Sequence, residues 1–599
     1  MCGIIALAGK NLNKIDDTKV KAMLSTLSLR GPDDQDFVRL GKGSNSAILG
    51  QTRLSIIDLS GGHQPMKDNT EDVTVTFNGE IYNYQELHKD LESRGHHFST
   101  KSDTEAILKA YIEYGDQCID HLDGMFAFVI CDNRNSKLFI ARDRFGKKPL
   151  YYAFDGENNL IIASEIKAIL ATGIKGQIDP NAIDNYLALT YIPPWKTIYS
   201  NIKTLPPAHL AIYNNGKIET RKYWKLEKET IKVSYKDAKI KVKELFDGAV
   251  KKRMIADVEI GALLSGGVDS TLICAYAQRY NNHPLKTFSL GYGDLINELP
   301  YAKQASEKIG TDHYTLQASP DLTDELKLVT EYMDEPHSSS SNFPQHLVSK
   351  LASSKVKVAL SGDGADELLM GYGWYWKYWN TSKFQRIKNL IFSNQFNEYK
   401  KYISIFSKKE RMLFMKDSNA VNDDIIGEEA SLIPSNGINK INIFDLTTYL
   451  PGQLLVKVDR TSMMNSLEVR CPFLDYKLAE YVYNLPTEYK MDRKNGKIIL
   501  KDILSEIMPR DFVYRKKQGF GAPVLDWLRT KKMEAFVRNN LNSNALIYKY
   551  INKKPVEELL ENFYGNNRAK MTKESKTFDK IWNLLCLELW LKSHKKYHE

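Results

Sequence analysis

Two glycine-rich loops, each directly after a short apolar run, constrain the fold of this chain more than any other feature. Val258 to Leu264 runs into Ser265-Gly266-Gly267, and Val356 to Leu360 runs into a Ser-Gly-Asp-Gly segment. A helical pattern follows the first loop, and another apolar run, Thr287 to Leu290, precedes a helical pattern around Tyr301 to Ile309. Strands that alternate with helices predict parallel βαβ units, whose ligands collect at the carboxyl ends of the strands.

The first 180 or so residues have a different pattern. Short β-rich runs such as Val73 to Phe77 and Met125 to Cys131 alternate with Gly, Pro, Asp and Asn turns. One helical stripe, Thr104 to Tyr114, interrupts them. This pattern predicts an α+β domain built on antiparallel sheets. A proline-containing stretch over residues 193–207 predicts a connector, and the region after about residue 380 is helical and lysine-rich.

Length and composition exclude several classes of protein. A chain of 599 residues favours two or more domains. Hydrophobic residues at 42% and charged residues at 26% exclude a collagenous, coiled-coil or wholly disordered chain. The net charge of +9 is spread over the sequence and gives only weak support for a nucleic-acid partner. No apolar run reaches the roughly 18 residues that cross a bilayer, and MCGIIALAGK lacks the basic region of a signal peptide, so a cytoplasmic location is expected.

Cys2 differs from the other five cysteines, at positions 118, 131, 274, 471 and 586. None of the six forms a CxxC pair, so the sequence indicates neither a disulfide framework nor a zinc site. Removal of the initiator Met would leave Cys2 as the N-terminal residue, with a thiol nucleophile and an α-amine base on one residue. An ordinary buried thiol is the alternative.

Four further segments bear on that choice: Arg30 to Asp33, Arg53 in QTRLSIIDL, Phe77 to Asn83, and Ser102 to Glu105. Taken singly, each also fits a structural role as a hairpin turn, a helix cap or a surface ion pair. Together they resemble the glutaminase domain of class II glutamine amidotransferases, over about residues 2–190. One position departs from that pattern, because the family usually has His before the Arg-Gly-Pro-Asp run and this chain has Leu29.

The resemblance implies a role for each motif residue. Cys2 would attack the side-chain amide of glutamine, and the side-chain amide of Asn78 with the N–H of Gly79 would form the oxyanion hole. The glutamine-binding residues would be Arg53 for the α-carboxylate, Glu80 and Asp103 for the α-amine, and Asn78. A guanidinium suits a carboxylate and acidic acceptors suit an ammonium.

The loop from Leu264 to Ser270 predicts a second site. Its glycines let the backbone approach a polyanion, and the following helix N-terminus supplies free N–H groups. A bare phosphate would repel Asp269, so this residue implies a bridging Mg²⁺. The lysine of a Walker A loop is missing, which argues against ordinary γ-phosphate transfer. A glycine-rich turn without a ligand is the alternative.

This loop resembles the SGGxDS loop of ATP pyrophosphatases, which cleave between the α- and β-phosphates of ATP and form adenylates. The resemblance implies an ATP site formed by Leu264, Ser265, Gly266, Gly267, Asp269, Ser270, Leu290, Ser361, Gly362 and Asp363. It also implies that Asp269 and Asp366 bind the metal. Asp363, Asp366 and Glu367 have an alternative explanation as turn and cap residues.

Three downstream segments resemble asparagine synthetases: LVKVDR at 455–460, SLEVRCPFLD at 466–475 and RKKQGFGAP at 515–523. Lys517, next to Lys516, falls where the family places a lysine over the adenylate and pyrophosphate. The implied domains are a glutaminase at 2–190, a connector at 191–238 and a synthetase at 239–599. The implied folds are an Ntn-hydrolase sandwich of antiparallel sheets between helices, and an α/β parallel-sheet ATP pyrophosphatase, similar to the adenine nucleotide alpha hydrolases, with extra helices.

The implied activity is glutamine-dependent synthesis of asparagine from aspartate and ATP, through a Cys2 thioester, internal ammonia transfer and an acyl-adenylate. A sugar-linked carboxylate in surface polysaccharide synthesis remains an alternative acceptor, because the segment Met333 to Ser340 does not distinguish the two. Met370 in place of a usual Gly, and Asn297 in place of a usual Asp, also leave the acceptor open.

Two other functions are less favoured. A tRNA-modifying ATP pyrophosphatase commonly needs paired redox cysteines, and a non-catalytic binding module would not need Cys2 or Asp269. The expected partners are therefore small molecules (glutamine, ATP and aspartate or another carboxylate), without nucleic acid or membrane. The oligomeric state is open, a homodimer included.

Overall fold

The computed structural model describes the chain except residues 1, 11, 42–45, 71, 294–296, 319–322, 380–394, 423–436, 516–520, 566–575 and 599. The described residues form two antiparallel sheets in the N-terminal part and one parallel sheet in the C-terminal part. The predicted pair of fold classes is therefore confirmed.

Twelve strands among the described residues build the N-terminal sheets. They are β1 (Cys2–Gly9), β2 (Asp34–Leu40), β3 (Ser46–Arg53), β4 (Met66–Lys67), β5 (Val73–Ile81), β6 (Gly124–Asp132), β7 (Lys137–Arg142), β8 (Tyr151–Phe154), β9 (Leu160–Ala163), β10 (Ile202–Thr204), β11 (His209–Asn214) and β12 (Lys217–Lys222). One sheet has the order β10-β8-β9-β1-β3-β2 and the other β12-β11-β7-β6-β5-β4.

Alternation along β1 explains why the two sheets stack. Ile4 and Ala6 pack between the sheets, against residues such as Val129 of β6. Ile5 and Leu7 point the other way and join a second core with helices. Both faces of β1 are thus buried, as expected for a central strand of a layered sandwich.

The N-terminal helices cover the outer faces of the sheets. They are α1 (Asp17–Ser25), α2 (Tyr84–Ser93), α3 (Asp103–Tyr114), α4 (Cys118–His121), α5 (Ile166–Leu170) and α6 (Pro180–Leu189). The predicted helix over Thr104 to Tyr114 is α3, which begins one residue earlier because the Ser102 side chain accepts a hydrogen bond from Thr104 N.

Residues 191–238, for which the sequence predicted a connector, contain three strands of the N-terminal sheets. β10 pairs with β8, and β11 pairs with β7 and β12. Pro206 and Pro207 lie in the turn between β10 and β11 and interrupt neither strand. The prolines therefore marked a boundary between strands, which the sequence pattern did not distinguish from a linker.

The C-terminal sheet is wholly parallel. Its strands are β13 (Ile260–Leu263), β14 (Lys286–Gly291), β15 (Asp312–Gln317), β16 (Val358–Leu360) and β17 (Glu468–Arg470), in the order β15-β14-β13-β16-β17. From β13 the chain continues to β14 on one side and later to β16 on the other. The two glycine-rich loops therefore leave neighbouring strands at the switch point, where ligands bind in open α/β sheets.

Helices surround this sheet and form the rest of the C-terminal part. They are α7 (Tyr235–Arg253), α8 (Val268–Ala277), α9 (Leu299–Ile309), α10 (Thr323–Tyr332), α11 (Asn342–Ser353), α12 (Ala365–Leu368), α13 (Gly373–Trp379), α14 (Gln395–Ile403), α15 (Lys408–Phe414), α16 (Ile438–Phe444), α17 (Leu455–Met463), α18 (Tyr476–Asn484), α19 (Thr487–Lys490), α20 (Ile498–Leu504), α21 (Arg510–Val513), α22 (Val524–Leu528), α23 (Lys531–Asn540), α24 (Lys553–Tyr564), α25 (Thr577–Ser593) and α26 (Lys595–His598). A π-helix, Asp445–Leu454, connects α16 to α17.

The two parts share continuous apolar cores. One core combines Phe126 and Phe128 of β6 with Phe246 of α7 and Phe473 of the C-terminal part. No helix among the described residues combines the length and the apolar composition that a membrane span requires.

Leu585 provides a test of the second shared core. It is fully buried in α25, in the cluster that also contains Ile5 and Leu7. We expect Leu585→Ala to lower the free energy of unfolding by about 2–5 kcal/mol through lost burial and a residual cavity. Leu413→Ala is the matched control, because Leu413 is 58% exposed. Thermal unfolding followed by tryptophan fluorescence measures both, and equal shifts would contradict this placement of α25.

Candidate active sites

The first candidate site is a pocket where β1 begins, β3 ends and α3 begins. Its lining residues are Cys2, Arg53, Leu54, Ile56, Ile57, Gly62, Gln64, Phe77, Gly79, Glu80, Ser102, Asp103 and Thr104. Five of the residues implied by the sequence, namely Cys2, Arg53, Gly79, Glu80 and Asp103, are therefore in one pocket.

Asn78 is oriented by the nucleophile residue itself. The backbone N of Cys2 donates to Asn78 Oδ1 at 3.0 Å. Asn78 Nδ2 is buried without a hydrogen-bond partner, so the amide has a free donor beside Cys2. At Gly79 a Cβ would overlap the carbonyl oxygen of Met125, so the close approach of β5 to β6 requires glycine. Burial raises the pKa of the Cys2 thiol, partly offset by a hydrogen bond from the backbone of Leu54.

Arg53 is held by main-chain carbonyl groups. Its Nη2 donates to Asp58 O at 2.7 Å and to Ile57 O at 3.1 Å, and its Nη1 donates to Leu59 O at 3.3 Å. A Cβ at Gly62 would overlap Nη2, so glycine makes room for the guanidinium. Within the described part of the chain, no carboxylate is recorded in an ion pair with Arg53, which leaves its charge for an anionic ligand.

Asp103 and Glu80 face the same pocket with different hydrogen-bond and ion-pair partners. Asp103 Oδ2 accepts from Ile81 N at 3.0 Å, and burial raises the pKa of Asp103 to about 6. Glu80 Oε1 lies 3.2 Å from Nη2 of Arg470, a residue of β17 in the C-terminal sheet. Burial raises the pKa of Glu80 despite Arg470. Asp103 is thus the acceptor whose side chain is not committed to an arginine.

Arg30 holds the main chain of Cys2 from the other side. Its Nε donates to Cys2 O at 3.0 Å, and its Nη1 and Nη2 donate to Asp459 of α17 at 2.7 and 3.1 Å. Leu29, which replaces the usual His, is 48% exposed, and its carbonyl accepts from Ser466 Oγ at 2.7 Å. Arg30 therefore makes its hydrogen bonds to Cys2 and Asp459 although residue 29 is Leu and not His.

The second candidate site starts at the loop between β13 and α8. Ser265 Oγ lies 3.1 Å from Ser270 Oγ and accepts from Gly267 N at 3.2 Å, so the two hydroxyls close the loop. Gly266 has φ +72°, and a Cβ there would lie 2.5 Å from the backbone of Tyr301. Arg515 Nη2 donates to Gly266 O at 2.8 Å, which adds a cation beside the loop.

The loop after β16 lies directly against the first one. A Cβ at Gly362 would be 3.0 Å from the Cβ of Asp269. Ser361 Oγ donates to Asp363 Oδ2 at 2.5 Å, and Lys457 Nζ lies 3.7 Å from Asp363 Oδ1. Leu290 is half-buried at the end of β14, next to β13. Residues from all three strand ends are therefore neighbours, as the sequence predicted.

Lys497 is a residue that the sequence pattern missed. Its Nζ lies 2.5 Å from Asp269 Oδ2 and 2.7 Å from Asp366 Oδ1. A Cβ at Gly371 would overlap Asp366 Oδ1, so that glycine keeps the space open. In sequence Lys497 only follows an Asn-Gly turn, and nothing marks it as a partner of residues so distant along the chain.

Glu367 is a second unassigned group in this site. Tyr372 OH donates to Glu367 Oε1, and Asn442 Nδ2 donates to Glu367 O at 2.5 Å. Burial and the adjacent Asp366 raise the pKa of Glu367 above its ordinary value, so it can hold a proton near neutral pH.

Asp269 and Asp366 fit a magnesium ion that also binds phosphate oxygens. Mg²⁺ is usually held by one or two carboxylates together with substrate phosphates. The described residues contain no group of three or more His, Cys, Asp or Glu side chains that could hold a metal alone. Two carboxylates on either side of the Lys497 ammonium therefore suit a cation that arrives with its substrate.

Lys517, its neighbour Lys516 and the segment Met333 to Ser340 were also expected at the second site. Lys516 and Lys517 lie outside the described residues. In the segment expected to contact an acceptor, Asp334 Oδ2 accepts from Arg460 Nη2 at 2.9 Å and Glu335 Oε1 accepts from Ile198 N at 2.7 Å. Asp334 Oδ2 also accepts from Ile166 N at 2.8 Å, so both carboxylates are engaged by residues that precede α7 in the chain.

Comparison with known proteins assigns the family. The model of the asparagine synthase family matches residues 241–592, and that of a glutamine amidotransferase domain matches residues 1–224. The chain belongs to the asparagine synthase family. "Asparagine synthetase [glutamine-hydrolyzing] 3" of Bacillus subtilis (strain 168) is 32% identical, over 94% of this chain and 93% of that protein. "Asparagine synthetase [glutamine-hydrolyzing]" of Homo sapiens is 28% identical, over 87% and 84% of the two chains.

Solved structures add less. The glutamine phosphoribosylpyrophosphate amidotransferase of B. subtilis, complexed with ADP and GMP, is 15% identical with a TM-score of 0.29, over 52% of this chain and 65% of that one. At that score the likeness carries no structural argument. The assignment of this asparagine synthase family member therefore rests on its sequence relatives.

Lys497 generates a prediction about stability. Lys497→Met would leave the carboxylates of Asp269 and Asp366 facing each other without a cation between them. We expect the free energy of unfolding to fall by about 3 kcal/mol. This value is the lower end of the range for a broken buried ion pair, because both aspartates are partly exposed. Millimolar MgCl₂ should raise the unfolding temperature of this variant more than that of the wild type. The control is Lys494→Met, at an exposed position. An unchanged unfolding temperature for Lys497→Met would count against the ion-pair cluster.

Proposed function

We propose that this protein is a glutamine-dependent asparagine synthetase, which converts ATP, aspartate, glutamine and water into AMP, pyrophosphate, asparagine and glutamate. The observation that carries the proposal is the contact between Cys2 N and Asn78 Oδ1, which leaves Asn78 Nδ2 free beside the thiol. The Cys2 thiol, the Cys2 α-amine and the Asn78 Nδ2 donor are thus close together. The same polypeptide also contains the glycine-rich loop that resembles a pyrophosphate-binding loop.

The glutaminase reaction begins with Cys2. With Met1 removed, its α-amine takes the thiol proton, and Sγ attacks the side-chain carbonyl carbon of glutamine. Asn78 Nδ2 and the N–H of Gly79 stabilise the oxyanion, each worth roughly 3 kcal/mol in the transition state. The α-ammonium returns its proton to the amide nitrogen, so that collapse of the intermediate expels ammonia and forms a thioester, which water hydrolyses to glutamate and free Cys2.

Glutamine is bound by charge at its other end. Arg53 binds the α-carboxylate, because carbonyl groups orient its guanidinium without neutralising it. Asp103 binds the α-ammonium, and this cation favours the ionised form of a carboxyl that burial disfavours. Glu80 lies in the same pocket and adds carboxyl oxygens there, one of which is 3.2 Å from Nη2 of Arg470.

The synthetase reaction uses the loops after β13 and β16. The loop residues Leu264 to Ser270, with Leu290, Ser361, Gly362 and Asp363, hold ATP, and the aspartate side-chain carboxylate attacks the α-phosphorus. Pyrophosphate leaves and an acyl-adenylate forms. Asp269 and Asp366 would hold Mg²⁺, which supplies positive charge to the phosphates. Lys497, and Lys517 by resemblance, would offset charge on the leaving pyrophosphate.

Ammonia from the first site then attacks the acyl carbon, which releases AMP and leaves the amide. The new amide nitrogen must also lose a proton, which passes to water or to the departing AMP phosphate. Ammonia has to stay unprotonated on its way, which favours a closed passage between the sites.

Aspartate is the proposed acceptor because the relatives are named asparagine synthetases; a sugar-linked carboxylate is not favoured. The proposed division assigns residues 2–190, with β10 to β12, to the glutaminase and residues 239–599 to the synthetase. A cytoplasmic location suits a protein that consumes ATP and two amino acids.

The decisive experiment measures transfer of the amide nitrogen of glutamine to asparagine. Wild-type protein given glutamine labelled with ¹⁵N in its amide, aspartate and MgATP is expected to form ¹⁵N-asparagine, AMP and pyrophosphate, detected by mass spectrometry. Cys2→Ala should lose at least 10³-fold in the glutamine-dependent rate, because the nucleophile is gone, and retain synthesis from ammonium. Loss of both activities in Cys2→Ala, or no asparagine from either nitrogen donor in the wild type, would refute the scheme.

Asp103 predicts how glutamine binding depends on pH. Its pKa is raised to about 6, so the carboxyl is ionised above that pH and protonated below it. We expect the glutamine KM to be flat above about pH 7 and to rise as pH falls through 6, approaching about tenfold per pH unit.

For Asp103→Asn, we expect a glutamine KM that is higher than that of the wild type at neutral pH and that does not increase further as pH falls through 6. The KM for ammonium in the synthetase reaction should be the same in the wild type and in this variant at each pH. A wild-type glutamine KM that is constant between pH 5 and 8 would exclude Asp103 as the residue that binds the α-ammonium group of glutamine.

A further inference from the structure

Arg30 connects the nucleophile residue to the C-terminal part of the chain. Its Nε–H donates to Cys2 O at 3.0 Å, while Nη1 and Nη2 donate to Oδ2 and Oδ1 of Asp459. Both side chains are buried, so salt and water screen the pair little. Asp459 of α17 therefore orients the Arg30 guanidinium, which in turn holds the main chain of Cys2.

Glu165 also contacts Arg30, but it cannot replace Asp459. It reaches only Nη1, at 2.9 Å, and it is shared with Arg460 at 2.9 Å and Lys167 at 2.6 Å. A single contact leaves the plane of a guanidinium undefined, whereas a bidentate carboxylate fixes it. Without Asp459, Glu165 would attract Nη1 and nothing would keep Nε directed at the Cys2 carbonyl.

We propose that Asp459 is a positioning residue of the glutaminase, which acts through Arg30 to keep Cys2 aligned with Asn78 and Gly79. The inference rests on the proposed glutaminase activity of Cys2 and extends it to a residue more than 450 positions away in the sequence. Asp459 does not belong to the glutamine pocket. Its effect is therefore on the rate of attack and not on the binding of glutamine.

The charge of Asp459 is present throughout the working pH range. Burial opposes its ionisation, but Arg30 and Lys148 hold the pKa of Asp459 below its ordinary value. The positively charged groups that face it are Arg30, Lys148 at 3.9 Å and Arg460 at 3.5 Å. The effect of Asp459 should accordingly be the same across neutral pH.

Asp459→Asn in the full-length protein tests the proposal. The substitution keeps shape and volume but replaces one acceptor of the bidentate pair by an NH₂ group. We expect the glutaminase kcat, measured as glutamate release, to fall about 10- to 100-fold, because displacements near 1 Å have effects of this size. The glutamine KM should stay within twofold, and ammonium-dependent synthesis should be retained.

A matched control removes charge from another buried arginine–aspartate pair. Asp184 Oδ1 accepts from Arg411 Nε at 2.6 Å, whereas Arg30 donates to Cys2 O, Glu165 and Asp459. Asp184→Asn should leave the glutaminase kcat within twofold. Arg30→Gln and Asp459→Asn should not be additive in kcat, since both act through the same contact to Cys2.

The outcomes separate this inference from the proposed function. An inactive wild-type glutaminase would refute the proposed function itself. With an active wild type, a kcat for Asp459→Asn within twofold, an effect confined to KM, or an equal fall in Asp184→Asn would overturn the positioning role. If Asp459→Asn does not fold, Asp459→Glu decides: a lower kcat at unchanged KM supports the role, and an unchanged kcat overturns it.

Discussion

A buried network of charges holds the two halves of this protein in one arrangement. Arg30 and Arg460 both contact Glu165, and they extend to Asp459 on one side and Asp334 on the other. Each of these groups would be costly to bury alone, and the pairing is complete only when the two halves are docked. The geometry of these ion pairs therefore fixes the position of one site relative to the other, and it tolerates little displacement.

Much of the fold and of the first site could be predicted from the sequence, because the signals are local. Apolar runs, turns and caps predicted the strand β6 and the helix α3 to within a residue at each end. The residues around Cys2 occur in short motifs, and the chain folds them into one pocket. The parallel sheet followed in the same way from two apolar runs that each end in a glycine-rich loop.

Contacts between distant residues could not be predicted. Lys497 pairs with Asp269, and Arg470 pairs with Glu80, although no pattern in the sequence relates the members of either pair. The strands β10 to β12 were missed for a different reason. Prolines in the turn between strands look like prolines in a linker, and only the pairing of β10 with β8 distinguishes them.

The position of α25 has a consequence for how the chain is made. Tyr186 OH of α6 donates to Asn583 O of α25 at 2.8 Å, and both helices belong to the core that covers one face of β1. A ribosome adds about 5–20 residues per second, so α25 emerges on the order of a minute after α6. During that interval α6 lacks the helix against which its Tyr186 side packs, and this apolar surface of the nascent chain is open to association with other chains or with chaperones. A helix of the C-terminal part, synthesised long after α6, therefore completes the packing of the N-terminal part.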